Sequence, residues 1–178
     1  MTERMEYKKQ KLLFICLGNI CRSPAAEAVM KKMVADAGRE DEFFIDSAGI
    51  GDWHVGQLPD SRMRQRGARR GYTLDSHARQ ICADDFSRFD KLLVMDNDNY
   101  RIVTSKAPTE EARAKVEMLT DYLKDHKNVS VVPDPYYGGT ADFDYALDLI
   151  EDACSNLLND NHESLPHNCQ WSVQLDLN

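Results

Sequence analysis

Short apolar runs alternate along the chain with stretches of helical period, and this alternation predicts the architecture. Leu12, Leu13, Phe14 and Ile15 form an unbroken apolar run, the length of a strand buried on both faces. Phe43, Phe44 and Ile45 open a second strand that closes on Asp46-Ser47-Ala48-Gly49. Residues 91–95 supply a third strand and 116–119 a fourth. Between them, Ala25, Ala28, Val29 and Met33 recur at helical spacing, predicting a helix over 24–37 that ends near Gly38. A second helix is predicted over 58–71, and helical material over 97–115 is interrupted at Ala107-Pro108. Residues 121–128 are polar and read as short helix and turn; 129–133 are extended. Tyr145, Leu147, Leu149, Ile150, Leu157 and Leu158 mark a last long helix over 143–159. The pattern predicts an α/β fold: a small four-stranded parallel sheet with helices on both faces. In such a sheet Cys16, Ser47, Asp96 and the Asp134 loop fall at one end.

The organisation is that of one domain after a charged lead-in over 1–10. At 178 residues and 42% hydrophobic content the chain is long enough to bury a substantial core. No apolar run reaches the length of a membrane span, and the first ten residues hold no apolar signal region. Five irregularly spaced cysteines fit a reducing compartment, so a cytoplasmic location is expected. There is no CxxC, HExxH or Cys/His cluster, so neither a metal nor another cofactor is expected. A net charge of −8 argues against nucleic acid or an anionic membrane as partner. It also requires that any positive potential for an anionic substrate be local.

The candidate chemistry lies where the first strand turns into the first helix. Cys16 ends the strand, Leu17, Gly18, Asn19, Ile20 and Cys21 form a loop, and Arg22 and Ser23 lead into the helix. A strand, a tight loop and a helix N-terminus aim backbone N–H groups and the positive end of a dipole at one point, a phosphate-binding arrangement. The same donors and the guanidinium favour the thiolate of Cys16, the nucleophilic form. Arg22 would grip two phosphate oxygens, and Ser23 would donate its hydroxyl to the sulfur when it leaves. Gly18 suits the inward-turned backbone, and Asn19 tolerates a left-handed conformation. The chemistry implied is phosphoryl transfer to sulfur. No Gly-Lys pair follows, so this is not a nucleotide-binding loop of the GxxxxGK type.

CLGNICRSP resembles the Cys-x5-Arg-Ser signature of the low-molecular-weight protein tyrosine phosphatases. SAGIGDWHVG at 47–56, HARQI at 77–81, VMD at 94–96 and DPYYGG at 134–139 follow in that family's order, so the resemblance implies a domain over 11–160 and leaves a C-terminal tail over 161–178 that carries Leu165, Trp171, Val173 and Leu175. The resemblance implies a phosphatase acting on phosphotyrosine-containing proteins and small aryl phosphates through a phosphocysteine, without a cofactor. It implies that Ser47 hydrogen-bonds Asn19 and that His77 supports the loop. Asp96 is expected to orient loops near the site. Expelling a phenolate, whose conjugate acid has a pKa of about 10, calls for a proton donor. The resemblance assigns that role to Asp134, in a loop constrained by Pro135 and expected to be buried enough to retain a proton. Trp53, Tyr136 and Tyr137 are expected to wall a slot for the substrate ring. His54 reads as solvated. Ile20 stands where the family's arginine-phosphatase branch carries threonine, which favours phosphotyrosine.

Cys21 shares the loop with Cys16, an arrangement suited to a reversible disulfide that would shield the nucleophile. The arginines at 62, 64, 66, 69 and 70 read as a solvated face, or as a surface for acidic stretches beside a phosphorylated residue. Two other functional readings stand beside the phosphatase. A thiol-dependent arsenate reductase shares the fold but needs relay cysteines, of which Cys82 is a candidate. A non-catalytic phosphopeptide-binding module would need neither the nucleophile nor the proton donor.

Overall fold

The computed structural model describes residues 8–163. Strand β1 (Gln10–Cys16) is followed by helix α1 (Arg22–Asp36), strand β2 (Phe43–Gly49) and helix α2 (Ser61–Arg69). Then come α3 (Asp85–Arg88), β3 (Lys91–Val94), α4 (Asn97–Lys106), α5 (Glu110–Ala114), β4 (Val116–Met118) and α6 (Thr140–Glu163). The strands form one parallel sheet in the order β2-β1-β3-β4. From β1 the chain steps to one side for β2 and to the other for β3, so the order reverses between β1 and β3. In open α/β sheets ligands bind at that switch, beyond the carboxyl ends of the strands.

Alternation along β1 divides the interior into two cores. Leu12, Phe14 and Cys16 face α1 and α6, packing with Ala25, Val29, Met30, Phe143, Leu147 and Ile150. Leu13 and Ile15 face the opposite side, with Phe86, Phe89, Val94, Val103 and Ala112 from the region of α3 to α5. Helices therefore cover both faces of the sheet, as the continuous apolar run of β1 requires. Three helices are stopped at their N-termini by side chains: Asp60 accepts from Arg62 N, Asp96 from Asn99 N and Thr109 from Ala112 N. Helix α1 differs. It is preceded by Cys21, which supplies no side-chain cap.

Several expected boundaries move. Gln10 already pairs with Phe43, so the lead-in is shorter than 1–10. Helix α6 starts at Thr140 and runs through residue 160 to Glu163, into the segment assigned to the tail. The apolar tail positions from Leu165 onward lie outside the described residues. Helix α3 is four residues long, too short to leave a periodic signal, and was not expected.

Two of the arginines expected on a solvated face, Arg66 in α2 and Arg70 just after it, are instead engaged in ion pairs. Arg66 makes a two-pronged contact with Asp144 at 2.8 Å on each arm, and Arg70 reaches Asp148 at 2.8 Å and Glu151. Tyr72 donates to the other oxygen of Glu151 at 2.9 Å. These residues clamp α2 to α6. Partly exposed ion pairs contribute little singly and more as a network. Arg70→Ala is accordingly expected to lower Tm by a few degrees while leaving the preference for acidic over neutral phosphopeptides unchanged. Thermal unfolding and kcat/KM on a peptide pair measure the two effects.

Candidate active site

The loop between β1 and α1 is held from outside by its carbonyls. Cys16 O, Leu17 O and Ile20 O accept from Ile50 N, Gly51 N and Asp60 N at 2.8–3.0 Å. Among the described residues, the N–H groups of Gly18 to Arg22 donate to no protein acceptor. Carbonyls out and amides in is the geometry of an anion cradle. Gly49, opposite Cys16 in the sheet, lets the loop sit this low, since a Cβ there would come within 3.0–3.1 Å of Gly18 C and Asn19 N.

Asn19 adopts φ 58°, the only non-glycine residue with positive φ among those described. Its side chain compensates for that conformation. The Asn19 amide donates to Ser23 Oγ at 2.8 Å and to Ser47 Oγ at 3.0 Å, while its Oδ1 accepts from Arg79 N at 3.0 Å. Ser47 in turn donates to the buried Glu27 carboxylate at 2.6 Å. Ser23 Oγ, which accepts from Asn19, lies 3.0 Å from Cys16 Sγ and 3.4 Å from Ala48 O, so its one proton has the sulfur and that carbonyl as acceptors. A chain of hydrogen-bonded side chains thus reaches the sulfur.

Arg22 is almost fully buried, with 3% of its side chain exposed. Nη1 donates to Asp96 Oδ2 at 2.6 Å and to Val132 O at 2.9 Å, and Nη2 lies 3.6 Å from Asp134 Oδ2. One guanidinium therefore touches the end of β3 and the acid-bearing loop from its place at the head of α1. Asp134 Oδ1 accepts from Tyr136 N at 3.1 Å, which folds the loop back on itself. Cys16, Leu17, Gly18, Ile20, Cys21, Arg22, Trp53, His54, Asp134, Tyr136 and Tyr137 line one cleft of about 300 Å3. Its floor is the nucleophile and the amides. Its wall carries the candidate acid.

The profile of the low molecular weight phosphotyrosine protein phosphatases matches residues 11–170. The chain belongs to that family. The match runs beyond residue 160, where the motifs of the resemblance placed the domain's end. The low molecular weight protein-tyrosine-phosphatase of Streptomyces coelicolor is 43% identical over 83% of this chain and 91% of its own length. The pig low molecular weight phosphotyrosine protein phosphatase is 42% identical over 86% and 96%. Among solved structures, a protein tyrosine phosphatase from Entamoeba histolytica with Hepes in the active site superposes with a TM-score of 0.84 at 46% identity, covering 87% of this chain and 98% of its own. The family members named here are tyrosine phosphatases, and the fold that the sequence predicts is theirs.

Some expectations need correction. His77 is exposed and makes no side-chain hydrogen bond among the described residues; the contact to the loop comes from the backbone N–H of Arg79. Arg79 itself is held by bidentate contacts to the buried Asp85 and a further one to Asp46. Asp134 is 39% exposed, not buried. His54 is not simply solvated: its Nδ1 contacts Gln57 Oε1 at 3.0 Å, and its ring lies so close over Gly18 that a methyl there would meet it at 3.0 Å. Trp53 packs over Gly51, where any side chain would collide with the indole, and remains 65% exposed. Tyr136 and Tyr137 meet edge to face at 4.9 Å, with Tyr137 almost wholly in solvent. Burial, then the nearby charges of Asp60, Cys16 and Asp134, push the Cys21 thiol well above its ordinary range. It is therefore a protonated neighbour, and a disulfide with Cys16 would require it to give up that proton. Cys82 is exposed and Cys154 fully buried in the core, which leaves Cys82 without a relay partner among the described residues.

Glu27 and Arg79 are site residues that the sequence reading missed. Glu27 sits one turn after Ser23 on α1, and that spacing is the one available signal.

Proposed function

We propose that this chain hydrolyses phosphotyrosine in proteins, and small aryl phosphates, by double displacement at Cys16. The reading is carried by one observation: Arg22 spans the head of α1 and the Asp134 loop, so nucleophile and proton donor line one cleft. The phosphate enters the amide cradle, and Arg22 binds two of its oxygens. Cys16 Sγ attacks phosphorus in line as the bond to the phenolic oxygen breaks, and Asp134 delivers its proton to that oxygen. The resulting carboxylate then takes a proton from water. Water oxygen bonds to phosphorus, the S–P bond breaks, and the thiolate departs into the Ser23 hydroxyl. Asp96 holds Arg22 in place, and Asn19, with Ser47 and Glu27 behind it, holds the loop.

The aromatic mouth suits a ring. Trp53, Tyr136 and Tyr137 line the cleft together with Cys16, an aromatic lining that favours phosphotyrosine over phosphoserine, which has no ring to pack there. Ile20, nearly buried in the lining, adds apolar surface on the floor side.

Removing the Ser23 hydroxyl deletes a charge-assisted hydrogen bond to the leaving thiolate. Ser23→Ala is expected to lower kcat about tenfold by slowing phosphoenzyme breakdown. The same variant should then show a larger burst of p-nitrophenol relative to its steady rate in stopped-flow mixing. The function itself is tested by kcat/KM on a phosphotyrosine peptide in chelator, beside phosphoserine and arsenate. Turnover of arsenate alone would transfer the case to the reductase. Peptide binding without turnover would make the chain a binding module.

A further inference from the structure

Resting on the phosphatase reading, we propose that Arg62 is a positioning residue that sets the general-acid loop over the nucleophile. The loop carrying Asp134 has little to hold it. Its internal bonds run from Tyr136 N to Asp134, from Gly138 N to Pro135 O and from Gly139 N to Asp142. Among the described residues, two side chains outside 134–139 hydrogen-bond its backbone: Asp142, at the adjoining start of α6, accepts from Gly139 N, and Arg62, from a distant part of the chain, donates from Nη2 to Tyr136 O at 3.0 Å.

Arg62 is itself fixed from three sides. Asp60 accepts from Nε at 3.1 Å and from Nη2 at 2.9 Å, and the same carboxylate caps α2 by accepting Arg62 N at 2.8 Å. The side-chain bond with Arg62, with backbone bonds adding to it against partial burial, holds the Asp60 carboxyl below its usual range. The guanidinium carbon lies 4.7 Å from the centroid of the buried Phe143 ring and 5.4 Å from that of Tyr136. The other end of this bracket reaches the nucleophile's loop, because Asp60 N donates to Ile20 O at 2.8 Å.

Ile20 O, Asp60, Arg62 and Tyr136 O thus form a continuous link from the phosphate cradle to the acid loop, passing outside the cleft. Arg22 makes the corresponding link inside it. When substrate phosphate engages Arg22, that residue is shared, and the outer link remains to keep Asp134 at its distance. Arg62 touches no reacting atom in this scheme; it acts through Asp134.

The test uses the full chain and kcat/KM for three aryl esters of rising leaving-group basicity: p-nitrophenyl phosphate, phenyl phosphate and a phosphotyrosine peptide. Arg62→Met keeps the stem that packs on Phe143 and removes the donors. It should cost about tenfold on the peptide and on phenyl phosphate, and little on p-nitrophenyl phosphate, whose leaving group hardly needs a proton. In an Asp134→Ala background the same change should cost nothing further on any ester. Arg62→Lys, which restores one donor, should recover part of the peptide rate and serves if the methionine variant fails to fold. Equal losses on all three esters, no loss at all, or an undiminished loss in the Asp134→Ala background would overturn the proposal. A wild-type protein inactive on every ester would instead overturn the phosphatase reading on which it rests.

Discussion

Replacing Cys16 with serine is expected to abolish hydrolysis of p-nitrophenyl phosphate and of phosphotyrosine peptides, by at least about 10⁴-fold. The size of the loss follows from the geometry. Sγ lines the cleft beside loop amides that donate to nothing else among the described residues, so a phosphate held by those amides and Arg22 meets that sulfur. A serine hydroxyl is far less acidic than a thiol and stays protonated. The cradle, Arg22 and its bond to Asp96 survive the change. The variant should therefore still bind inorganic phosphate and a phosphotyrosine peptide, measurable by calorimetry, while its turnover disappears. Loss of binding together with turnover would point to a collapsed loop.

Asp134→Ala is expected to cost about 10²–10³-fold in kcat/KM on a phosphotyrosine peptide and much less on p-nitrophenyl phosphate. Tyrosine's phenolate is a poor leaving group, with a conjugate-acid pKa of about 10, and must be protonated as the P–O bond breaks. p-Nitrophenolate leaves unaided. Asp134 lies 3.6 Å from Arg22 Nη2 and is 39% exposed, so its substitution removes a weak ion pair at a cleft margin and leaves no buried charge unpaired. Stability should change little, and the effect on rate can be read without a folding correction. A uniform loss across both substrates would take the proton-donor role away from Asp134.

The parts of this site that lie together in the chain were legible in the sequence. Strand, loop and helix between Gln10 and Asp36 are contiguous, so a thiol at the strand's end, a tight loop after it and an arginine at the head of the helix could be placed from spacing alone. The Asn19–Ser47 contact also came through, because the resemblance carried it. What failed was contact set by topology. Arg79 reaches Asn19 through its backbone N–H, a donor every non-proline residue has, so the side chain two positions earlier took the credit. Glu27 reads as an ordinary helix carboxylate until β2 delivers Ser47 beside it. Arg62, Arg66 and Arg70 look alike on a helical wheel. Their separation into a loop bracket and an interhelix clamp depends on where the Tyr136 loop and α6 arrive, 74 to 81 positions later. The exposure of Asp134 was missed for the same reason: an Asp-Pro pair says where the chain turns, not how deeply.

The most direct test of the central claim is whether a single phosphocysteine stands between substrate and product. Wild-type protein is given p-nitrophenyl phosphate, phenyl phosphate and a phosphotyrosine peptide in turn, in chelator, with glycerol present to compete with water. A common intermediate at Cys16 predicts one ratio of glycerol phosphate to inorganic phosphate for all three, because the leaving group has departed before the acceptor attacks. A ratio that changes with the leaving group would mean that water attacks the substrate directly, and the double-displacement account would be wrong.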